Sequence, residues 1–323
     1  MGIPGDPEEG YDMKKAITRR DFLMAAAVTP IAGAIGCCCQ GKGAYVGGSP
    51  APRPGVAALR SVAHVSRVVL VRDADAVGEG RKLNGPVIQK MLDDAVMALF
   101  GEKTPAAAWK RIVGPTDIVG IKTNVWNYLP TSPEVENAIK TRVLEAGVPA
   151  ANVAIDDRGV LANPIFQAAT VLINARPARA HYWAGMGSCI KNYIQFVPKP
   201  SDYHTDACAD LAAIWSLPAV KDRTKLNIQV MLTPQFHNIG PRGFSEAYLW
   251  PYKGLIVGQD VVAVDATAYR VIQAQRLKHF GEDKPLETSA HHIMLADTKH
   301  KLGTSDPNLI DLIKLGWQDG ILI

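Results

Sequence analysis

From about residue 61 onward, short apolar and β-branched runs alternate with longer stretches in which apolar side chains recur every three or four positions. The short runs predict strands at 67–71, 117–122, 152–155, 169–174, 225–232 and 254–257, with helices between them. Residues 84–100 put Val87, Met91, Ala95, Val96 and Leu99 on one helical stripe. A second helix opens at Ser132-Pro133-Glu134 and runs to Ala146. A capping side chain, a proline at the first helical position and an acid in the first turn coincide there. Residues 260–276 read as a third helix with Asp260 as its N-cap, and 288–296 and 307–315 as two more. Asp265 is five positions from Asp260, off the spacing at which helical neighbours stack.

This alternation specifies an α/β fold, a largely parallel sheet flanked by helices. Between Asn174 and Asp206 no period holds, and the stretch reads as a long functional loop at the strand carboxyl ends. Its aromatic, Lys, His and Asn content separates it from disordered sequence. Ligands of open parallel sheets settle beyond the carboxyl ends of the strands. The polar residues that follow each strand therefore share one rim: Lys122 and Asn124, then Asp156, Asp157 and Arg158, then Asn174 and Arg176. Taken singly, each is also an ordinary turn or cap residue.

With 47% hydrophobic residues, the chain has material for one sizeable core or two small ones. The formal charge of +4 includes several basic residues of the N-terminal region, and no basic stripe supports nucleic-acid binding. Beyond residue 60 only Cys189 and Cys208 remain, which excludes a disulfide scaffold and leaves a single bridge open. The chain has no GxGxxG after its first strand, and no GxxxxGK[ST], HExxH, GxSxG or CxxC pair. The usual supports for nicotinamide binding, P-loop hydrolysis, zinc proteolysis, serine hydrolysis and ferredoxin clusters are therefore missing.

The N-terminal region reads Lys14-Lys15, Arg19-Arg20-Asp21-Phe22-Leu23, then a mildly apolar run broken by Pro30 and two glycines. It resembles a twin-arginine export signal and falls short of the ~20 continuous apolar residues of a spanning helix. Met13 is the better start for such a signal. Ala34-Ile35-Gly36-Cys37 resembles the box cleaved in bacterial lipoproteins, with Ala34 where leucine is usual. Cys37 is then a lipid-bearing membrane tether; the alternatives are incidental thiols or a metal cluster with Cys38 and Cys39. The expected organisation is a signal region over 1–39, a Gly/Pro/Ala tether over 40–60 and an α/β domain over 61–323. The implied partner is the twin-arginine translocation machinery, and the implied location is periplasmic or otherwise extracytoplasmic.

Candidate chemistry gathers in the 174–206 stretch, where His181, Lys191 and His204 are spaced along the chain and Gly185 and Gly187 give the backbone freedom. Two neutral imidazoles can ligate a transition metal, and a lysine in a partly apolar pocket can serve as nucleophile or cofactor anchor. Farther on, His237 and Arg242 occupy a glycine-containing loop and are candidates for a metal or an anionic substrate. Each of these residues singly is more often structural or solvated.

Asp117-Ile-Val-Gly-Ile-Lys122-Thr-Asn124, Lys191-Asn192 followed by His204, Gly240-Pro241-Arg242-Gly243 and Gly258-Gln-Asp260-Val-Val-Ala-Val-Asp265 occur in this order. In that series the chain resembles the domain of unknown function 362 family over residues 68–323. Some members carry ferredoxin-like clusters, for which this chain lacks the cysteines. The His181, Lys191, His204 series is also distantly similar to lactate racemase. That resemblance implies a lysine-anchored organometallic cofactor on Lys191, a metal ligand at His204 and a proton- or hydride-moving group at His181.

The first expectation is an exported α/β enzyme that depends on a metal or another cofactor and acts on a small polar or anionic ligand by redox or proton/hydride-transfer chemistry. Lys191 and His181 are its catalytic candidates and His204 and His237 its metal candidates. Lys122, Asn124, Asn174, Asn192 and Arg242 are its binding candidates. The rival is a lipid-tethered binding or assembly protein without catalysis, with Tyr182, Trp183, Tyr193 and Phe196 partly exposed. A third reading is an accessory factor of a redox complex.

Overall fold

A computed structural model describes residues 65–238 and 244–323. The signal region, the tether, Cys37 and Arg242 with its glycine loop lie outside the described residues.

In chain order the elements are β1 (Ser66–Arg72), α1 (Gly85–Phe100), α2 (Pro105–Trp109), β2 (Val119–Lys122), α3 (Pro133–Glu145), β3 (Val153–Asp156), α4 (Pro164–Ala168), β4 (Val171–His181), β5 (Gly185–Gly187), α5 (Cys189–Asn192), α6 (Thr205–Cys208), β6 (Thr224–Gln235), β7 (Gly254–Gly258), α7 (Val261–Phe280), α8 (His292–Thr298) and β8 (Ile310–Gly316). The sheet order is β3-β2-β4-β6-β7-β1-β8, with β5 paired to β4. Strands β3, β2, β4 and β6 run parallel, as do β1 and β8. Only β7, antiparallel to both β6 and β1, and the short β5 depart from that direction. The result is a mixed α/β domain with a mostly parallel central sheet flanked by helices.

Both faces of the sheet are apolar because both are covered. Ile88, Met91 and Leu92 of α1, Trp109 of α2 and Ile139 of α3 pack against Val69, Ile121, Ile173 and Val257 on one face. Val262 and Ile272 of α7, Phe166 of α4 and Tyr193 pack against Leu70, Leu172 and Ile256 on the other. The helix starts follow local chemistry. The side chains of Asn84, Ser132 and Asp260 accept the amide hydrogens of Val87, Val135 and Val262, and Gly101 closes α1 in the left-handed conformation at φ 69°.

Two expectations are corrected. Residues 307–315 are not a helix: after one short turn they form β8, parallel to β1. Ile310 and Leu312 pack with one core and Ile313 and Leu315 with the other, so an edge strand with apolar contacts on both faces imitates helical spacing. The 174–206 stretch is not one long loop. Strand β4 continues to His181, and nearly every residue from Asn174 to Val197 is buried. The arginines and histidine of β4 broke the apolar pattern because they line an internal cleft.

Candidate functional site

The carboxyl ends of β2, β3 and β4 meet α5 around a cleft of about 170 Å3. The segment after β2 brings Asn124 and Trp126, and that after β3 brings Asp157 and Arg158. Strand β4 supplies Arg176, Arg179 and His181, α5 supplies Lys191 and Asn192, and Trp183 and His204 complete the wall.

In a regular strand, residues 176 and 179 point to opposite faces. The register of β4 against β6 shifts between Pro177 and Arg179, and both guanidiniums line the cleft. Gly187 on the paired β5 leaves the space: a Cβ there would come within 2.9 Å of Arg176 Nη2. Arg176 Nη1 donates a long bond to the Ser188 carbonyl at 3.4 Å, and its Nε has no partner. Arg179 stacks over the Trp126 ring, 3.8 Å from its centre, and its Nε is also unpartnered. Neither arginine forms an ion pair among the described residues. Both are at least 95% buried by residue, with relative exposures of 3% and 5%. Burial lowers the affinity of both guanidiniums for their protons, and Arg176 lowers that of Arg179 further.

Lys191 is equally enclosed. Its ammonium is pushed down to about 8 by burial, against the opposing pull of Cys208, whose Sγ lies 3.6 Å from Nζ. Burial also pushes the imidazoles down, His181 well below its ordinary value and His204 to about 4. His181 Nδ1 accepts the Trp183 amide hydrogen at 3.1 Å, so the neutral ring carries its proton on Nε2. His204 stacks on Trp183, with ring centres 3.9 Å apart.

A polar network under the cleft holds these groups. Lys122 Nζ donates to Asp157 Oδ1 and to the Thr123 carbonyl, while Asp157 Oδ2 accepts the Val125 amide hydrogen. Burial holds the Lys122 ammonium down at about 8 despite that carboxylate. Asn192 Nδ2 donates to Asn174 Oδ1 and to the Lys122 carbonyl; Asn174 Nδ2 donates to Asn227 Oδ1 and the Cys189 carbonyl. Asp265 of α7 accepts the Ser188 hydroxyl and the amide hydrogens of Cys189 and Ile190, which fixes the first turn of α5 and so the direction of Lys191. Burial lifts the Asp265 carboxyl to about 7.

The structure thus brings together Lys191, His181, His204, Asn124 and Asn192. It places Lys122 and Asn174 behind the wall as supports. Asn124 contributes mainly a turn, its Oδ1 accepting the Trp126 amide hydrogen at 3.4 Å. His237 is elsewhere: its Nδ1 lies 2.5 Å from Glu287 Oε1 and 3.3 Å from Arg276 Nη1, between the rings of Tyr248 and Phe280. Cys189 and Cys208 are free, buried thiols.

Among the described residues, no group of three or more His, Cys, Asp or Glu side chains is placed to hold a metal ion. The cationic Arg176, Arg179 and Lys191 beside the two imidazoles repel a dication, so the donor set does not fit the expected metal. Sequence reading missed Arg179, Trp126 and Asp265. The available signal was the pair of arginines at 176 and 179, two charges in a segment otherwise reading as strand and turn.

Residues 134–270, from α3 into α7, match the sequence model of the domain of unknown function 362 family (DUF362). That span contains Asp157, every β4 and α5 residue of the cleft, and His204. No curated protein and no solved structure matches the chain.

Proposed function

We propose that the cleft binds a small anionic molecule and that Lys191, flanked by two neutral imidazoles, moves a proton on it. The carrying observation is the pair of buried guanidiniums, Arg176 and Arg179, with unpartnered Nε atoms and no carboxylate partner. Buried charges are normally paired, because an uncompensated one costs several kcal/mol, on the order of 3–5 when a partner is removed. Here a ligand oxoanion supplies the missing partner, and guanidinium forks suit carboxylate or phosphate oxygens.

A lysine held at about 8 exchanges protons near neutral pH. His181, with Nε2 carrying its proton, is a neutral donor that orients the ligand. In this reading Lys191 is the proton-transfer group, His181 and His204 shape and polarise the cleft, and the Lys122–Asp157 pair anchors the wall. The rival recognition surface draws less support, since Tyr193 and Phe196 are 0% and 5% exposed and Trp183 alone of the expected aromatics reaches 37%.

The N-terminal sequence supports the accompanying proposal that the domain is exported by the twin-arginine machinery to an extracytoplasmic location and tethered through lipidated Cys37. Arg19-Arg20→Lys-Lys is expected to trap the protein in the cytoplasm, and Cys37→Ser to abolish incorporation of labelled fatty acid. Export of the first variant or labelling of the second would reject the corresponding claim.

The site itself is tested by thermal unfolding in a series of phosphate, sulfate, acetate and chloride at constant ionic strength. Ligand binding raises the midpoint by mass action, so oxoanions should stabilise the wild type beyond chloride and leave Arg179→Gln unmoved. Equal effects on both proteins would reject the anion site.

A further inference from the structure

The cleft is too small for a whole metabolite of ordinary size. Its volume of about 170 Å3 is near the ~150 Å3 that encloses a benzene molecule and below the ~300–1,000 Å3 of typical ligand pockets. A compact anionic head fills it, and anything attached to that head must leave through the mouth. What meets it there is aromatic.

Trp126, which lines the cleft with Arg179 beneath its ring, is the inner member of a ring cluster. Tyr128 lies 4.9 Å from it and Phe244 5.7 Å, while Tyr128 and Phe244 are 4.8 Å apart, centre to centre. These rings come from two distant segments, one after β2 and one between β6 and β7. Tyr128 is 48% exposed and its neighbour Val125 45%. An apolar patch that adjoins a buried charged cleft, as these rings do, is the kind of surface that receives a ligand. The other wall is also flat, formed by Trp183 stacked on His204.

We infer that the ligand is an amphiphilic anion: a carboxylate or phosphate head seated at Arg176, Arg179 and Lys191, carried on a planar apolar body that lies along Trp126, Tyr128 and Phe244. This rests on the anion site proposed above and adds the chemistry of the rest of the ligand. The head is read by charge and the body by stacking, for which rings at about 4.5–7 Å are the favoured partners. A free inorganic anion or a short aliphatic acid satisfies the first half alone.

The test compares phenyl phosphate with inorganic phosphate and benzoate with acetate, by calorimetric titration of the purified protein and of Tyr128→Ala and Phe244→Ala. Both substitutions lie outside the cleft lining, and that of the exposed Tyr128 is expected to leave the fold intact, as circular dichroism would verify. The aromatic anion of each pair should bind the wild type at least about fivefold tighter than its plain counterpart, and the margin should shrink toward unity in both variants. A larger margin within the phosphate pair identifies a phosphate ester, and within the carboxylate pair a carboxylic acid. Equal affinities within both pairs, or a margin that survives both substitutions, would overturn the planar body while leaving the anion site standing. Absence of binding by all four would remove both.

Discussion

Arg179→Met separates a ligand-binding charge from a structural one. Methionine keeps the unbranched stem and its burial but removes a guanidinium that has an orphaned Nε and no carboxylate partner. An unsatisfied buried polar group costs roughly 1–3 kcal/mol. Repulsion from the buried Arg176 guanidinium, which lowers the proton affinity of Arg179, adds to that cost. The stacking on Trp126, 3.8 Å away, returns about 0.5–2 kcal/mol, and water entering the open mouth screens part of the repulsion. The net expectation is a free protein more stable by about 1–2 kcal/mol. At about 2–4 °C per kcal/mol for a domain of this size, that is a rise of roughly 2–8 °C in calorimetry without added anion. Anion affinity should fall about ten- to a hundredfold, the loss of one charge-assisted bond of ~1.5–3 kcal/mol. A variant that melts lower and still binds anions would refute the reasoning, because Arg179 would then be a satisfied structural residue.

Asp157→Asn strands Lys122 in the interior beside a group it can no longer pair with; a loss of about 3–5 kcal/mol is expected from urea unfolding, and a change below 1 would show the pair to be dispensable. Gly187→Ala drives a Cβ toward Arg176 Nη2, so titration should show weakened anion binding while the melting midpoint moves by less than about 3 °C. Since Lys122 and Lys191 are both held at about 8 against an ordinary 10.5, the unfolded chain binds more protons between those values, and stability should rise with pH across that window. Over the same rise anion affinity should fall as Lys191 loses its charge; pH-resolved titration that is flat from 7 to 10 would remove Lys191 from the site. His181, His204 and His292, the last fully buried at the start of α8, all have lowered proton affinity in the folded state, so urea midpoints should drop as pH falls from about 6.5 through 4, and His292→Phe should reduce that slope.

The parts of this molecule that were legible in sequence are those decided within a few residues. Asn84, Ser132 and Asp260 announce helix starts because a cap bonds two or three positions ahead. Lys191, His181 and His204 stood out because polar, chemistry-bearing residues interrupted an apolar pattern, and the fold does gather them at the strand ends. The remainder depends on partners remote in sequence. Asp265 was judged against its own helix, whereas the amide hydrogen of Ile190 that it accepts lies 75 positions away. Arg179 reaches the cleft beside Arg176 only across a register shift against β6, which no local pattern encodes. Asn192 lines the cleft and Asn174 lies behind it, both within one amide network. Fully buried amides must satisfy their own hydrogen bonds, and theirs are satisfied by each other and by Asn227, Lys122 and the Cys189 carbonyl. β8 hides its period of two because apolar side chains contact both cores from one strand.

The most direct measurement of the anion site is anomalous diffraction from a crystal of the protein equilibrated with selenate, whose oxygens match the hydrogen-bonding geometry of sulfate and phosphate. One strong peak is predicted in the cleft, within hydrogen-bonding reach of Arg176, Arg179 and Lys191. A cleft without selenium at a concentration that decorates surface arginines would contradict the proposal that these buried charges exist to hold an anion.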